Sequence, residues 1–150
     1  MTSRSYSSKR MKIVEALADK LMMIDGQGAF LSDVADNVFP RLKFWDEVEE
    51  FPAIHLNAGS ETHEYQTGGY KNRFLFVTIR IYVQEEESQE ALGALLEDVE
   101  TVLEDNSQLE YLDNVGISQN IQQISVINIT TDEGVLEPLG VAEMEIEVRY

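Results

Sequence analysis

Two histidines, His55 and His63, are the only side chains able to act as imidazole bases. They stand eight positions apart, which fits no metal-ligand spacing, and each falls in its own short strand-like stretch. A hairpin would bring the rings together as a pair; the plainer reading is two partly exposed strand residues. Ser32, Ser60 and Ser107 lie outside any Gly-x-Ser-x-Gly elbow. Gly68-Gly69 is a turn signal without a phosphate-cradling motif around it. Asp132-Glu133-Gly134 begins like a calcium loop but lacks the remaining ligands. Glu97 and Glu100 share a helix face, yet a chain with 28 acids makes such a pair common. With no cysteine, disulfides, thiolate zinc sites and Cys nucleophiles are excluded. These residues point to a protein that is not an enzyme, with no catalytic residue, no cofactor and no dedicated metal site.

The chain's chemistry is its charge. Eleven basic residues face 28 acidic ones, a net charge of −17 over 150 residues. That argues against a general nucleic-acid binder, which needs cations to replace counterions, and against docking on an anionic membrane. The charge is uneven. Residues 1–20 hold Arg4, Lys9, Arg10, Lys12 and Lys20 against Glu15 and Asp19. Residues 85–113 hold eleven acids and no Lys or Arg, and after Arg80 the only basic residue is Arg149. One reading is a solvated surface that keeps the protein soluble. The other is a surface that repels something anionic or meets a basic partner, as a DNA conduit or a DNA mimic would.

The elements that carry these residues follow from periodicity. Ser7 or Ser8 can cap a helix over roughly 8–24, with Met11, Val14, Leu17, Ala18, Leu21 and Met22 on one face and Gly26 and Gly28 ending it. Residues 30–39 read as weakly extended up to Pro40, and Asp46-Glu47-Val48 as one helical turn near Trp45. Short strands are expected over 53–56, closed by Gly59, and over 63–66. The strongest strand is 74–83, with bulk on both faces, hence central. Glu85, Glu86 and Glu87 precede a second helix over 88–105, where carboxylates suit the positive helix end. Its buried stripe is Leu92, Leu95, Leu96, Val99, Val102 and Leu103, with Glu97, Asp98, Glu100 and Glu104 off it. Residues 107–116 read as a connector and 117–131 as one long strand with a bulge. The last strand alternates Ala142, Met144, Ile146 and Val148 inward with Glu143, Glu145, Glu147 and Arg149 outward. The expected fold is α+β in a single domain over 1–150: a mainly antiparallel sheet of about four to five strands, with two main helices on one face. No apolar run approaches the ~20 residues of a membrane span, and no signal-peptide stretch is visible, so a soluble, cytoplasmically made protein is expected.

Trp45 reads either as a core anchor for the 26–50 connection or as an interface anchor. Arg10 and Lys12 read either as solubilising or as partners of an acidic neighbour, for instance near Glu97, in an oligomer. The polar, Gly-containing stretches 57–72 and 132–140 read as loops, either plain connections or contacts to other proteins.

The order of these features resembles the tail terminator proteins of long-tailed bacteriophages. The resemblance is carried by the N-terminal amphipathic helix, Asp36-Asn37-Val38-Phe39, Phe51-Pro52-Ala53-Ile54 leading into Leu56-Asn57-Ala58-Gly59, and the strand from Phe74 to Val83. The helix from Leu92 to Asp105 and the ending from Gly140 to Tyr150 complete it. It implies a structural virion protein forming a homo-oligomeric ring of six. Such a ring binds the last ring of tail tube protein, stops polymerisation, and offers its other face to the head-completion or connector proteins. It implies a place at the head-proximal end of the virion tail after assembly in the host cytoplasm, with DNA passing through unbound. Glu143, Glu145 and Glu147, or Glu85, Glu86 and Glu87, are then candidates for a phosphate-repelling lumen; Arg10, Lys12, Trp45 and Glu97 are candidates for the subunit interface. A neighbouring head–tail connector or tail-completion protein, and an acidic DNA-mimic inhibitor, are the alternative readings.

Overall fold

Ser8 opens the first helix, α1 (Lys9–Leu21), by accepting the Met11 N–H on its hydroxyl at 3.2 Å. The computed structural model describes residues 8–34 and 36–150, and of Trp45 the main chain alone. Ile13, Val14, Leu17, Ala18 and Leu21 form the buried face of α1. Met11, expected on that face, is half exposed, and Ile13 is buried in its stead. The helix also ends at Leu21 rather than 24. Met23 and Ile24 bond to carbonyls three residues back, which tightens the last turn and drops Ile24 into the core. Gly26 and Gly28 belong to the following loop, where their positive φ is needed.

The strands are β1 (Val38–Phe39), β2 (Ala53–Tyr65) and β3 (Lys71–Gln84), then, after α2 (Ser88–Asp105), β4 (Glu110–Leu112), β5 (Ser118–Asn120), β6 (Gln123–Thr131) and β7 (Leu139–Arg149). A 3-10 turn spans Trp45–Glu47. The main sheet runs β1-β2-β3-β7-β6, all antiparallel except β1 beside β2; β4 and β5 make a separate pair. The fold is therefore α+β with a five-stranded mixed sheet and both helices against one face, as expected in class. β3 is the central strand: Leu75, Val77, Ile79, Ile81 and Val83 are all buried. β7 beside it buries Ala142, Met144, Ile146 and Val148. Together with the faces of α1 and α2 they form one apolar cluster.

Three expectations need correction. The strands over 53–56 and 63–66 are one strand, β2, interrupted only by a bulge between Ala58 and Glu61, so Gly59 bends the strand rather than closing it. Its lower half carries polar side chains on both faces, which hides it from hydropathy alternation. The connector at 107–116 contains β4, which pairs with β5. The single strand at 117–131 is two, β5 and β6, broken where Ile121 turns into the core; the expected bulge lies at Val126–Asn128.

Candidate functional site

The register lays one row of side chains across the face of the sheet that no helix covers: Phe39, His55, Arg80, Glu143 and Thr130. Parity then puts Glu145, Glu147 and Arg149 on the same face. Glu143 is not free there. Arg80 grips its Oε1 with Nη2 and with Nε at 2.9 Å. Glu145 is exposed and Glu147 half-buried. Arg149 donates to Asn72 at 2.9 Å and lies over the Phe74 ring at 5.8 Å. The row is thus three carboxylates with a cation at each end.

His55 is 1% exposed although it lies on this outer face, because the chain after Pro40 folds over it. Its Nδ1 donates to the Arg41 carbonyl at 2.9 Å, Phe39 stacks on the ring at 5.1 Å, and Tyr82 meets it edge-on. The Tyr82 hydroxyl donates to the Lys43 carbonyl at 2.5 Å. Burial holds the imidazole below its ordinary pKa, and the nearby Lys43, Arg41 and Arg80 charges push the same way. His63 lies on the same strand but the opposite face, since it pairs with Arg73 and His55 with Arg80. The His pair that a hairpin would have made does not exist.

Glu85, Glu86 and Glu87 form an exposed turn at the end of the sheet, not on its face. Glu87 occupies the N-cap position of α2 without a side-chain cap bond. Its hydrogen bond with Glu90 and its negative charge raise the Glu90 pKa, since a like charge close by disfavours ionisation. The turn beside them is Asp132 to Pro138: Glu85 N–H donates to the Pro138 carbonyl, and Gln89 donates to Asp132 at 2.9 Å. Asp132 also accepts from Leu136 N–H, so it organises this turn. Among the described residues no group of three or more His, Asp or Glu is arranged to hold a metal ion. The two acidic sets therefore occupy different surfaces, one on the sheet face and one at the sheet end.

The interface candidates separate in the same way. Arg10 donates to the Gly59 carbonyl at the β2 bulge and sits 4.0 Å from Glu61. Lys12 pairs with Glu15 at 3.7 Å on its own helix. Glu97 is exposed on α2. Trp45 opens the 3-10 turn, and its side chain lies outside the described residues. Asp98, expected off the buried stripe, is 2% exposed and accepts the N–H groups of Leu31 and Ser32.

Three features escaped the sequence. The stretch 57–72 is mostly a β arm: β7 pairs with β3 only from Phe74 onward, so Lys71–Arg73 and the facing His63–Tyr65 project past it. Gly68 and Gly69 supply the positive φ of its tip, flanked by the exposed Tyr65 and Tyr70. At the base of the arm Glu61 accepts from Tyr150 Oη at 2.5 Å and from His63. Lastly, β6 exposes Val126, Ile127 and Ile129 at the edge of the sheet; its charge-free run was the one visible signal.

A profile of the family described as "Bacteriophage Tail Tube Terminator Protein" matches residues 7–150. The tail tube terminator protein p142 of Escherichia phage T5 is 30% identical over 149 residues, covering 94% of this chain and 92% of that one. A chain in the virion of a native gene transfer agent (GTA) particle superposes with a TM-score of 0.55, covering 92% of this chain and 93% of that one. At 10% identity that last likeness is one of fold.

Proposed function

The chain belongs to the bacteriophage tail tube terminator family, a structural and non-enzymatic component of the virion tail, and from that premise we propose how it caps the tube. Six copies form a ring on the last ring of tail tube protein and so stop its growth. The opposite face of the ring receives the head-completion or connector proteins. The ring sits at the head-proximal end after assembly in the host cytoplasm, and DNA passes through without a specific site. The observation that carries this reading is the family match over nearly the whole chain, residues 7–150.

The charge supports the conduit. Carboxylates repel phosphate over roughly a Debye length, ~8 Å at physiological salt, whereas Lys or Arg would hold it. Of the two acidic sets, Glu145 and Glu147 on the open sheet face suit a lumen better than Glu85, Glu86 and Glu87, which crowd a turn. Arg80 already neutralises Glu143, so that carboxylate serves the sheet more than the lumen. The β2–β3 arm and the turn 132–138 suit contact with neighbouring virion proteins, since both project from the sheet ends. The acidic-decoy reading loses support from the same facts: Glu143 is paired, and Asp98 is buried rather than displayed.

The test is a phage lacking this gene, complemented by the wild type or by a variant with residues 66–70 replaced by a two-residue turn. Wild type should restore tails of one length and ring-shaped particles of six copies. The shortened arm should fold yet leave tails of irregular length. Uniform tails without any copy of the protein would refute the capping role.

A further inference from the structure

We propose that the open edge of β6 in one copy seats against the α1–β2 flank of the next copy, an inference that rests on the ring reading above. Among the described residues β6 is the last strand of the sheet and has only β7 beside it. Asp132 N–H donates to the Val141 carbonyl at 3.0 Å. By the two-residue alternation of an antiparallel ladder, Asn128 and Thr130 also turn toward β7, and Ile129 and Thr131 turn their N–H and C=O outward.

Solitary proteins blunt such an edge with lysine, proline or an inward charge. The nine residues Gln123–Thr131 contain none of these. Instead Val126 is 43% exposed, Ile127 52% and Ile129 37%. Behind the edge lies a groove of about 380 Å³ with Leu103, Ile124 and Val126 in it and Glu100 and Glu104 at its rim. The surface asks for a partner that is apolar in the middle and offers an open strand edge of its own.

The chain carries that complement on the other side of its sheet. Among the described residues β1 covers β2 only at Ile54 and His55, and from Asn57 onward no described strand lies on its outer side. A groove of about 220 Å³ there holds Met11, Val14, Pro40 and Ala58, with Arg10 and Glu15 both at its rim. Met11, expected on the buried face of α1, is half exposed among the described residues. Arg10 stands beside it, its charge shared with Glu61 of the same chain. The three pairings between β2 and β6 are all antiparallel, so these two edges run oppositely. A rotation about an axis along the strands preserves those directions and brings β6 beside the neighbour's β2. Such a contact joins two different surfaces, the kind that closes a ring when the rotation permits.

The chain has no cysteine, so introduced ones report unambiguously. Ile127→Cys and Met11→Cys proteins, mixed and treated with a short bismaleimide, should give cross-linked dimers; neither protein alone should. A folded Ile127→Lys/Ile129→Lys variant, checked by circular dichroism, should sediment as a monomer under conditions where the wild type is oligomeric. Cross-linking of Ile127→Cys with itself would mean a two-fold β6–β6 contact and would overturn the proposal. So would a double-lysine variant of unchanged mass with no 11–127 product, and in that case the ring itself would stand. A wild type that stays monomeric both in solution and on purified tubes would defeat the ring reading and this contact with it.

Discussion

The carboxylate of Asp98, buried on α2, accepts the main-chain N–H of Leu31 at 2.9 Å across a sequence separation of 67 residues. Its second oxygen takes Ser32 N–H at 2.7 Å. The loop after α1 has little regular structure of its own, and this acid fastens it to the second helix. Asp98→Ala leaves two partly buried N–H groups without acceptors and should cost about 2–4 kcal/mol. Asp98→Asn keeps one acceptor and should cost less. Urea unfolding measures both; a loss under about 0.5 kcal/mol for Asp98→Ala would show that water replaces the carboxylate.

Two glycines predict opposite signs. A Cβ on Gly140 would lie 2.7 Å from Val83 Cγ2 and 3.2 Å from Ser88 Cβ, where β7 starts beneath α2. Gly140→Ala should destabilise by about 1–3 kcal/mol. Gly93, inside α2, meets nothing within 4 Å, so Gly93→Ala should stabilise by about 0.5–1 kcal/mol. Thermal melts of the two variants should move in opposite directions.

Glu61 and Tyr150 set a pH window. Burial raises the Tyr150 hydroxyl, and donation to Glu61 raises it further, up to about 12. For Glu61, burial alone would raise the pKa, but the bonds from Tyr150 and His63 and the Arg10 charge outweigh it and hold the pKa below the carboxylate range. A raised tyrosine contributes stability below its ordinary 10.0 and loses it as pH climbs toward 12; a depressed carboxylate contributes above 4.5 and loses it as pH falls. Tyr150→Phe should cost about 1 kcal/mol near neutrality and flatten the alkaline limb. Superimposable stability curves for wild type and variant above about pH 10 would contradict the coupling.

The sheet-face acids make a functional prediction. Glu145→Gln/Glu147→Gln removes repulsion without adding attraction and should leave DNA ejection nearly unchanged. Glu145→Lys/Glu147→Lys should slow ejection, most at low salt, because each cation gains a phosphate contact. Lysines at these two positions with normal ejection rates would place the face away from the lumen.

Legibility tracked how one-sided each element's burial is. α2 and β7 each show the solvent one polar side, so Leu92 to Leu103 and Ala142 to Val148 could be read directly. β2 could not, because from Asn57 on its side chains are mostly polar and exposed, and from His63 to Tyr65 it projects past β7 with no apolar side to alternate. Asp98 was misassigned because a carboxylate on a helix signals solvent, and only the distant Leu31 and Ser32 N–H groups explain its burial. Met11 and Ile13 exchanged roles for a related reason: both fit a helix face, and the position of β2 decides which is covered. Charge counting located the acids but not their surfaces, since the separation of Glu85–Glu87 from Glu143–Glu147 is a property of the strand order.

That strand order also governs when the protein can become itself. The central seam joins β3 to β7, so residues near 80 wait for residues near 143 before they are covered on that side. During synthesis the β2–β3 hairpin and α2 emerge with the middle of their sheet missing, and β6 has nothing to pair with. Contacts of such long range make closure slow and late. The flank and the edge proposed to meet in the ring thus become fixed relative to each other only when β7 is inserted between β3 and β6. A nascent chain stalled before Leu139 should remain protease-sensitive and unable to join rings. Completion of the subunit would in this way act as its own checkpoint, since a half-made chain lacks the fixed pair of edges that a ring contact requires.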